Sequence, residues 1–190
     1  MAKLLDKINV VDVESTCWDG EPPPGQVSEI IEIGICVVDA GTLERVEKQS
    51  ILIKPVKSEL SAFCTQLTSL EPAMFESAGS LEQAVGVLQK KFSARERLWA
   101  SWGDYDRRQF ERVCLDQRVK YPFGLTHLNA KTLFATANGL PHEIGLDGAY
   151  HRLGWKMEGR HHRGDDDAWN IAKILCELYR RMRATPAPSM

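Results

Sequence analysis

Two stretches of this 190-residue chain place carboxylates at spacings that could support chemistry. In "NVVDVES", Asp12 and Glu14 are two positions apart, so on an extended strand they share a face with Ile8 and Val10 while Asn9, Val11 and Val13 share the other. Both acids end an apolar row. Burying neighbouring carboxylates there is costly unless a positive charge sits between them, and a divalent cation is the usual compensation. In "HHRGDDDAWN", residues 161 to 170, two histidines precede three aspartates, and two registers compete, His161 with Asp166 or His162 with Asp167.

Helical phase separates the aspartates. Asp167 lies four before Ile171, in the stripe of Ala168, Ala172, Leu175 and Leu178, whereas Asp166 aligns with Asn170, Lys173 and Glu177 on the expected solvent face. In "SWGDYDRRQF" the same test turns Asp106 inward, four before Phe110 and seven before Val113, and leaves Asp104 with Arg107, Arg108 and Glu111. An isolated DxE is common by chance, and a first-turn acid often serves only the helix dipole. Together, four inward carboxylates match a two-metal centre: two Mg²⁺ or Mn²⁺ ions about 3.5 to 4 Å apart activate a water and stabilise the leaving oxygen of a phosphodiester. A histidine on a loop before the last aspartate suits a general base.

Positioning these groups requires strands and helices in a definite order. "KINVVDVE" (7 to 14), "EIIEIGICVVDA" (29 to 40) and "RVEKQSILIKP" (45 to 55) read as three strands, the last two joined by a hairpin-like "DAGTLE". "EPPPG" (21 to 25) is a non-helical loop. "LEQAVGVLQKKF" (81 to 92) has helical periodicity, "RLWASW" (97 to 102) reads as a fourth strand, "YDRRQFERVCLDQ" (105 to 117) as a helix and "LTHLNA" (125 to 130) as a fifth strand. Helices around "EIGLDGAYHRLG" and "DAWNIAKILCELYRRM" follow. The order predicts an α/β fold: a five-stranded mixed sheet, three antiparallel strands then two parallel ones, flanked by helices.

Length and composition fit one domain over residues 1–183 with a frayed tail at 184–190. Charge is nearly balanced, 24 Lys+Arg against 26 Asp+Glu, which argues against coating long nucleic acid by electrostatics and leaves a grip on a strand end open. Five scattered cysteines with no CxxC argue against a disulfide framework or a structural zinc site. With no long apolar run and no secretory leader, the expectation is a cytoplasmic protein with no membrane partner. Domains of this size commonly pair, so a homodimer is the prior for oligomeric state. No GxxxxGK[ST] segment supports a nucleotide switch.

The residues resemble the DEDDh (DnaQ-like) 3′-to-5′ exonucleases of the ribonuclease H-like fold. Asp12 and Glu14 in "VVDVES" match the first motif, Asp106 in "YDRRQF" the second, and His162 with Asp167 in "HRGDDDAWNIA" the third. "ELSAFCTQLTSLEP" (59 to 72) and "GRHHRGDDDAWNIA" are similar to the Eri-type branch, with Ser69 standing where that branch usually has glycine and with no separate RNA-binding module. The resemblance implies metal-dependent release of nucleoside 5′-monophosphates from single-stranded 3′ ends, RNA preferred over DNA. Asp12, Glu14, Asp106 and Asp167 would hold two divalent cations, Mg²⁺ or Mn²⁺, and His162 would take the proton of the attacking water. Thr16, Phe63, Leu67, Thr68 and Trp102 would hold the terminal nucleotides, and Arg163 would meet a phosphate. A DNA exonuclease and a noncatalytic binding regulator are the alternatives.

The resemblance leaves His161, Asp165 and Asp166 without a catalytic role. His162→Ala is therefore expected to lower turnover by the 10²- to 10⁴-fold typical of a lost general base, with an approximate range, and His161→Ala by far less. Equal losses in steady-state assays of the two variants contradict this register.

Overall fold

The computed structural model describes residues 4–184. Three strands come first, β1 (Leu4–Ser15), β2 (Ile30–Asp39) and β3 (Glu44–Leu52), followed by α1 (Ala62–Thr68), a 3₁₀ turn (Pro72–Phe75) and α2 (Leu81–Phe92). Then come β4 (Arg97–Ser101), α3 (Tyr105–Asp116), β5 (His127–Asn129), α4 (Ala130–Ala137), α5 (Leu146–Leu153) and α6 (Gly164–Ala184). The sheet order is β3-β2-β1-β4-β5. β1 and β3 run antiparallel to β2, and β4 is parallel to both β1 and β5. The expected mixed sheet is the one observed.

β1 is central because it is apolar on both faces. Ile8 and Val10 enter a core with α4, α5 and α6, whereas Val11 and Val13 enter a second core with α2 and α3. On α6 the stripe Ala168, Ile171, Ala172, Leu175 and Leu178 is buried as its phase requires. Each larger aliphatic side chain so buried contributes about 1.5–3 kcal/mol. One position departs from the expected solvent face: Asn170 is fully buried, its amide bridging the backbone of Glu158 and the Asp166 carbonyl. A polar residue can occupy a core position when all its groups find partners.

Three short elements were not expected from sequence. α1 and the 3₁₀ turn are too brief to display helical periodicity, and α1 closes at Ser69 in the left-handed region, φ 61°. That backbone explains why glycine suits this position, since a side chain there costs on the order of 1–2 kcal/mol. α4, rich in alanine and threonine, is announced only by its N-cap, where Asn129 Oδ1 accepts the Thr132 N–H at 2.9 Å. Ala184 belongs to α6, and the rest of the expected tail, 185–190, lies outside the described residues.

One close approach fixes the working end of the sheet. Gly34 pairs with Asp12 across β1 and β2. A Cβ on Gly34 would fall 1.8 Å from the Gly164 carbonyl carbon, and a Cβ on Gly164 would fall 2.8 Å from the Gly34 nitrogen. The start of α6 therefore rests on β2 backbone to backbone, which carries Asp167 to the level of Asp12. Gly34→Ala should destabilise the protein by about 1–3 kcal/mol or more through overpacking, opposite to the usual gain of alanine over glycine in a strand. Thermal unfolding and an activity assay test this, and an unchanged melting temperature refutes the contact.

Candidate active site

The two acids of β1 lie where the strand leaves its core. Asp12 is half-buried and Glu14 is 9% exposed, and a register shift follows Glu14. Such irregularities re-aim side chains beside functional sites. Asp106, in the first turn of α3, and Asp167, in the first turn of α6, are both buried. Oxygens of Asp12, Glu14 and Asp167 come within 4.8 Å of one another. Asp106 reaches the same place from the other side of β1, its Oδ1 accepting the Val13 N–H at 2.9 Å. A cleft of about 250 Å³ joins the four carboxylates with Val13, Trp102, Tyr105, Leu146, His161 and His162.

Electrostatics in this cleft are dominated by one sign. Burial, reinforced by Asp106, Glu14 and Asp167, holds the Asp12 carboxyl well above its ordinary range. Burial and then Asp167, Glu32 and Asp106 push Glu14 up to about 8, and burial pushes Asp106 up to about 6. Each shift records a desolvated carboxylate facing others of its kind. Oxygen donors in that arrangement fit a hard divalent cation, which removes the cause of the shifts.

Glu32 is an acid that sequence reasoning passed over. It is fully buried and pairs in register with Glu14. Arg163 neutralises it, Nη2 donating to Oε1 at 2.9 Å and Nε to Oε2 at 3.3 Å, while the Gly164 N–H donates to Oε2 at 2.9 Å and the Ser50 hydroxyl to Oε1. The signal was there in "IIEIGICVV", a lone acid inside an apolar strand. Arg163 is thus paired with Glu32 and is not among the residues that line the cleft, and a buried carboxylate left unpaired costs several kcal/mol, to order of magnitude.

The histidine loop is fastened to α6. His162 donates its backbone N–H to Asp167 Oδ2 at 2.9 Å, and His161 Nδ1 lies 2.9 Å from both Asp167 oxygens. Asp166, expected at the surface, accepts the Arg160 N–H at 2.8 Å and pairs with Lys48. Glu158 receives Arg45, Lys173 and the Trp169 indole. Both histidines face the cleft: the partner of Asp167 through its ring is His161, and through its backbone His162. Hydrogen bonding to Asp167 pushes the His161 imidazole up, while burial and the neighbouring His161 push His162 down.

Of the expected nucleotide contacts, Trp102 lines the cleft, its indole N–H held by the Ile144 carbonyl at 3.2 Å. Phe63 and Leu67 occupy one face of α1, Phe63 exposed and Leu67 half-buried, outside the residues lining the cleft. Thr16 and Thr68 are fully buried and serve the fold. The Thr16 hydroxyl donates to the Val27 carbonyl and accepts the Glu29 N–H, and that of Thr68 donates to Cys64 and accepts from Leu70. Tyr105 and Leu146 are cleft residues that the sequence did not single out.

The chain matches the family model described as exonuclease, RNase_T, over residues 10–175. Human 3′-5′ exoribonuclease 1 is 29% identical over 184 residues, covering 91% of this chain and 52% of that protein. Human ERI1 exoribonuclease 3 is 30% identical over 185 residues, covering 89% and 52%. The chain thus spans about half the length of these curated relatives. Among solved structures, the nuclease domain of 3′hExo, a DEDDh family member, bound to rAMP, superposes with a TM-score of 0.85 at 25% identity, covering 100% of this chain and 99% of that one. A 3′-exonuclease recognising the 3′ end of the histone mRNA stem-loop gives 0.82 at 26% identity, covering 93% and 83%. With its fold, its motif order and these matches in agreement, the chain belongs to the DEDDh exonuclease family of ribonuclease H-like proteins.

Proposed function

We propose that the protein is a metal-dependent exonuclease that removes nucleoside 5′-monophosphates from single-stranded 3′ ends, with RNA preferred. The observation that carries this reading is the convergence of Asp12, Glu14 and Asp167 within 4.8 Å, with Asp106 in the same cleft. Buried carboxylates with raised protonation, in a cleft where the histidines are the basic side chains among the described lining residues, fit two divalent cations, Mg²⁺ or Mn²⁺. When bound, such ions supply a nucleophilic water and charge stabilisation for an in-line displacement at phosphorus.

The chain's own residues do the rest. Asp12 and Glu14 come from a strand buried on both faces, and Asp106, which lines the same cleft, is held in place by the Val13 N–H and by hydrogen bonding with Ser101. His162 has a depressed protonation, which keeps its imidazole neutral near pH 7 and able to take a proton from water. Its place relative to Asp167 is set by its own backbone N–H. Trp102, Tyr105 and Leu146 give the cleft an apolar wall against which a terminal base or sugar can rest.

Preference for RNA is supported by the relatives, named as exoribonucleases, and by the neighbour whose bound nucleotide is rAMP. A cytoplasmic setting is supported by five unpaired cysteines, which persist in a reducing compartment. Among the described residues no helix is long and apolar enough to cross a membrane.

Matched 5′-labelled RNA and DNA oligonucleotides, incubated with Mg²⁺, Mn²⁺ or EDTA, test the reading. RNA should shorten from its 3′ end with release of 5′-monophosphates, EDTA should stop the reaction, and Asp12→Ala should reduce it to background with the fold intact. DNA degraded at least as fast removes the RNA preference. No shortening with either metal, or full activity of Asp12→Ala, removes the exonuclease assignment.

A further inference from the structure

Neighbouring side chains on extended backbone point apart, yet the imidazoles of His161 and His162 lie together. Their ring centroids are 4.0 Å apart and their planes differ by 24°. The cause is the backbone of His162, which sits in the left-handed region at φ 65°. That conformation costs a side-chain-bearing residue on the order of 1–2 kcal/mol. The loop bears it because Asn170, Asp166 and Asp167 hold its backbone at Glu158, Arg160 and His162. Rigid loops with a strained residue are a common feature of ligand sites.

The geometry points to a binding site for a borderline-soft divalent cation, Zn²⁺ foremost, formed by His161, His162 and Asp167. One nitrogen from each ring and one carboxylate oxygen fall within 4.8 Å of one another. Two imidazoles and a carboxylate, with a fourth position open to water, make a zinc donor set. Mg²⁺ favours oxygen donors in octahedral geometry and competes poorly for imidazole. The His161 side chain is 40% exposed, so an ion can enter from solvent. On entry His161 coordinates through Nδ1 as the neutral imidazole with its remaining proton on Nε2. A doubly protonated ring gives one proton to solvent and a neutral ring changes tautomer, and the 2.9 Å contact between Nδ1 and Asp167 opens by roughly 0.5 Å to admit the metal. The cost of assembling the site is small because the loop is already in place.

Occupancy of this site has a consequence that rests on the exonuclease reading. Asp167 belongs to both donor sets, and His162 is the proposed base. A Zn²⁺ ion on the histidines therefore withdraws both from the Mg²⁺-supported reaction and inhibits it. Zinc binding itself does not depend on that reading.

The test is a titration of the full chain with Zn²⁺ against a chromophoric chelator, and with Co²⁺ followed by visible absorption. Wild-type protein and Asp12→Asn should both show the intense bands of four-coordinate cobalt. His161→Ala and His161→Asn should lose the bands and weaken Zn²⁺ binding by at least about tenfold, with circular dichroism unchanged. In Mg²⁺ assays, scaled to each variant's own uninhibited rate, half-inhibition by Zn²⁺ should rise by a similar factor in the His161 variants. Unchanged zinc affinity on removal of His161, or bands lost in Asp12→Asn and kept in His161→Ala, overturns the proposal by placing the ion on the carboxylates. Absence of Mg²⁺-dependent cleavage by the wild type overturns the nuclease reading instead, and the cobalt and chelator results still decide the zinc site.

Discussion

Four carboxylates gathered in one place repel one another, and the elements around them are arranged to withstand that repulsion. Left to itself, such a cluster would spread apart, take up protons or pull the strand toward solvent. The fold prevents the first outcome. β1 is held between two hydrophobic cores, α3 is tied to it by the bond from Val13 to Asp106, and α6 is seated on β2 through Gly34 and Gly164. Protonation is the outcome that remains, and the raised carboxyls of Asp12, Glu14 and Asp106 record it. Stability is given up locally to keep the carboxylates together, a trade that functional sites often make.

A second layer of polar contacts keeps the cluster from collapsing onto itself. Glu32 adds a fifth carboxylate beside Glu14, and the Arg163 guanidinium cancels its charge while bracing the residue next to His162. The loop from Glu158 to His162 takes its shape from α6. Asn170 reads its backbone at one end, Asp166 in the middle and Asp167 at the other. The first two turns of α6 thus act as a template for the histidines. The three consecutive aspartates divide accordingly: Asp167 faces the cleft, Asp166 holds the loop, and Asp165 pairs with Lys48 at 3.2 Å.

Much of this was legible in sequence where periodicity is strong. Alternation placed Asp12 and Glu14 on one face of β1, and helical phase turned Asp106 and Asp167 inward, because long amphipathic elements have only one way to bury their apolar side. Phase failed at Asn170, whose burial depends on partners far along the chain. It was silent on α1 and α4, which are too short for a pattern and rely on caps. The commitment of Arg163 to Glu32 and of the Thr16 hydroxyl to the Val27–Glu29 loop are contacts between residues with no local sequence relation. Spacing could not choose between His161 and His162, and the structure brings both to Asp167 by different atoms.

Carboxylate repulsion stored in the folded chain is what a divalent cation would relieve. Glu14 rises from an ordinary 4.5 to about 8, and Asp106 from 3.8 to about 6, so between these limits the folded state holds more protons than the unfolded one. Through these carboxyls the stability of the metal-free protein falls as pH rises. A cation held by the deprotonated cluster, as proposed, would at a hundred times its dissociation constant stabilise by about 2.7 kcal/mol. The decisive measurement is the melting temperature of the EDTA-treated protein from pH 5.5 to 8, with and without Mg²⁺. The melting temperature should fall with pH in the absence of metal and be restored by Mg²⁺ most strongly at pH 8. A melting temperature indifferent to Mg²⁺ across that range contradicts it.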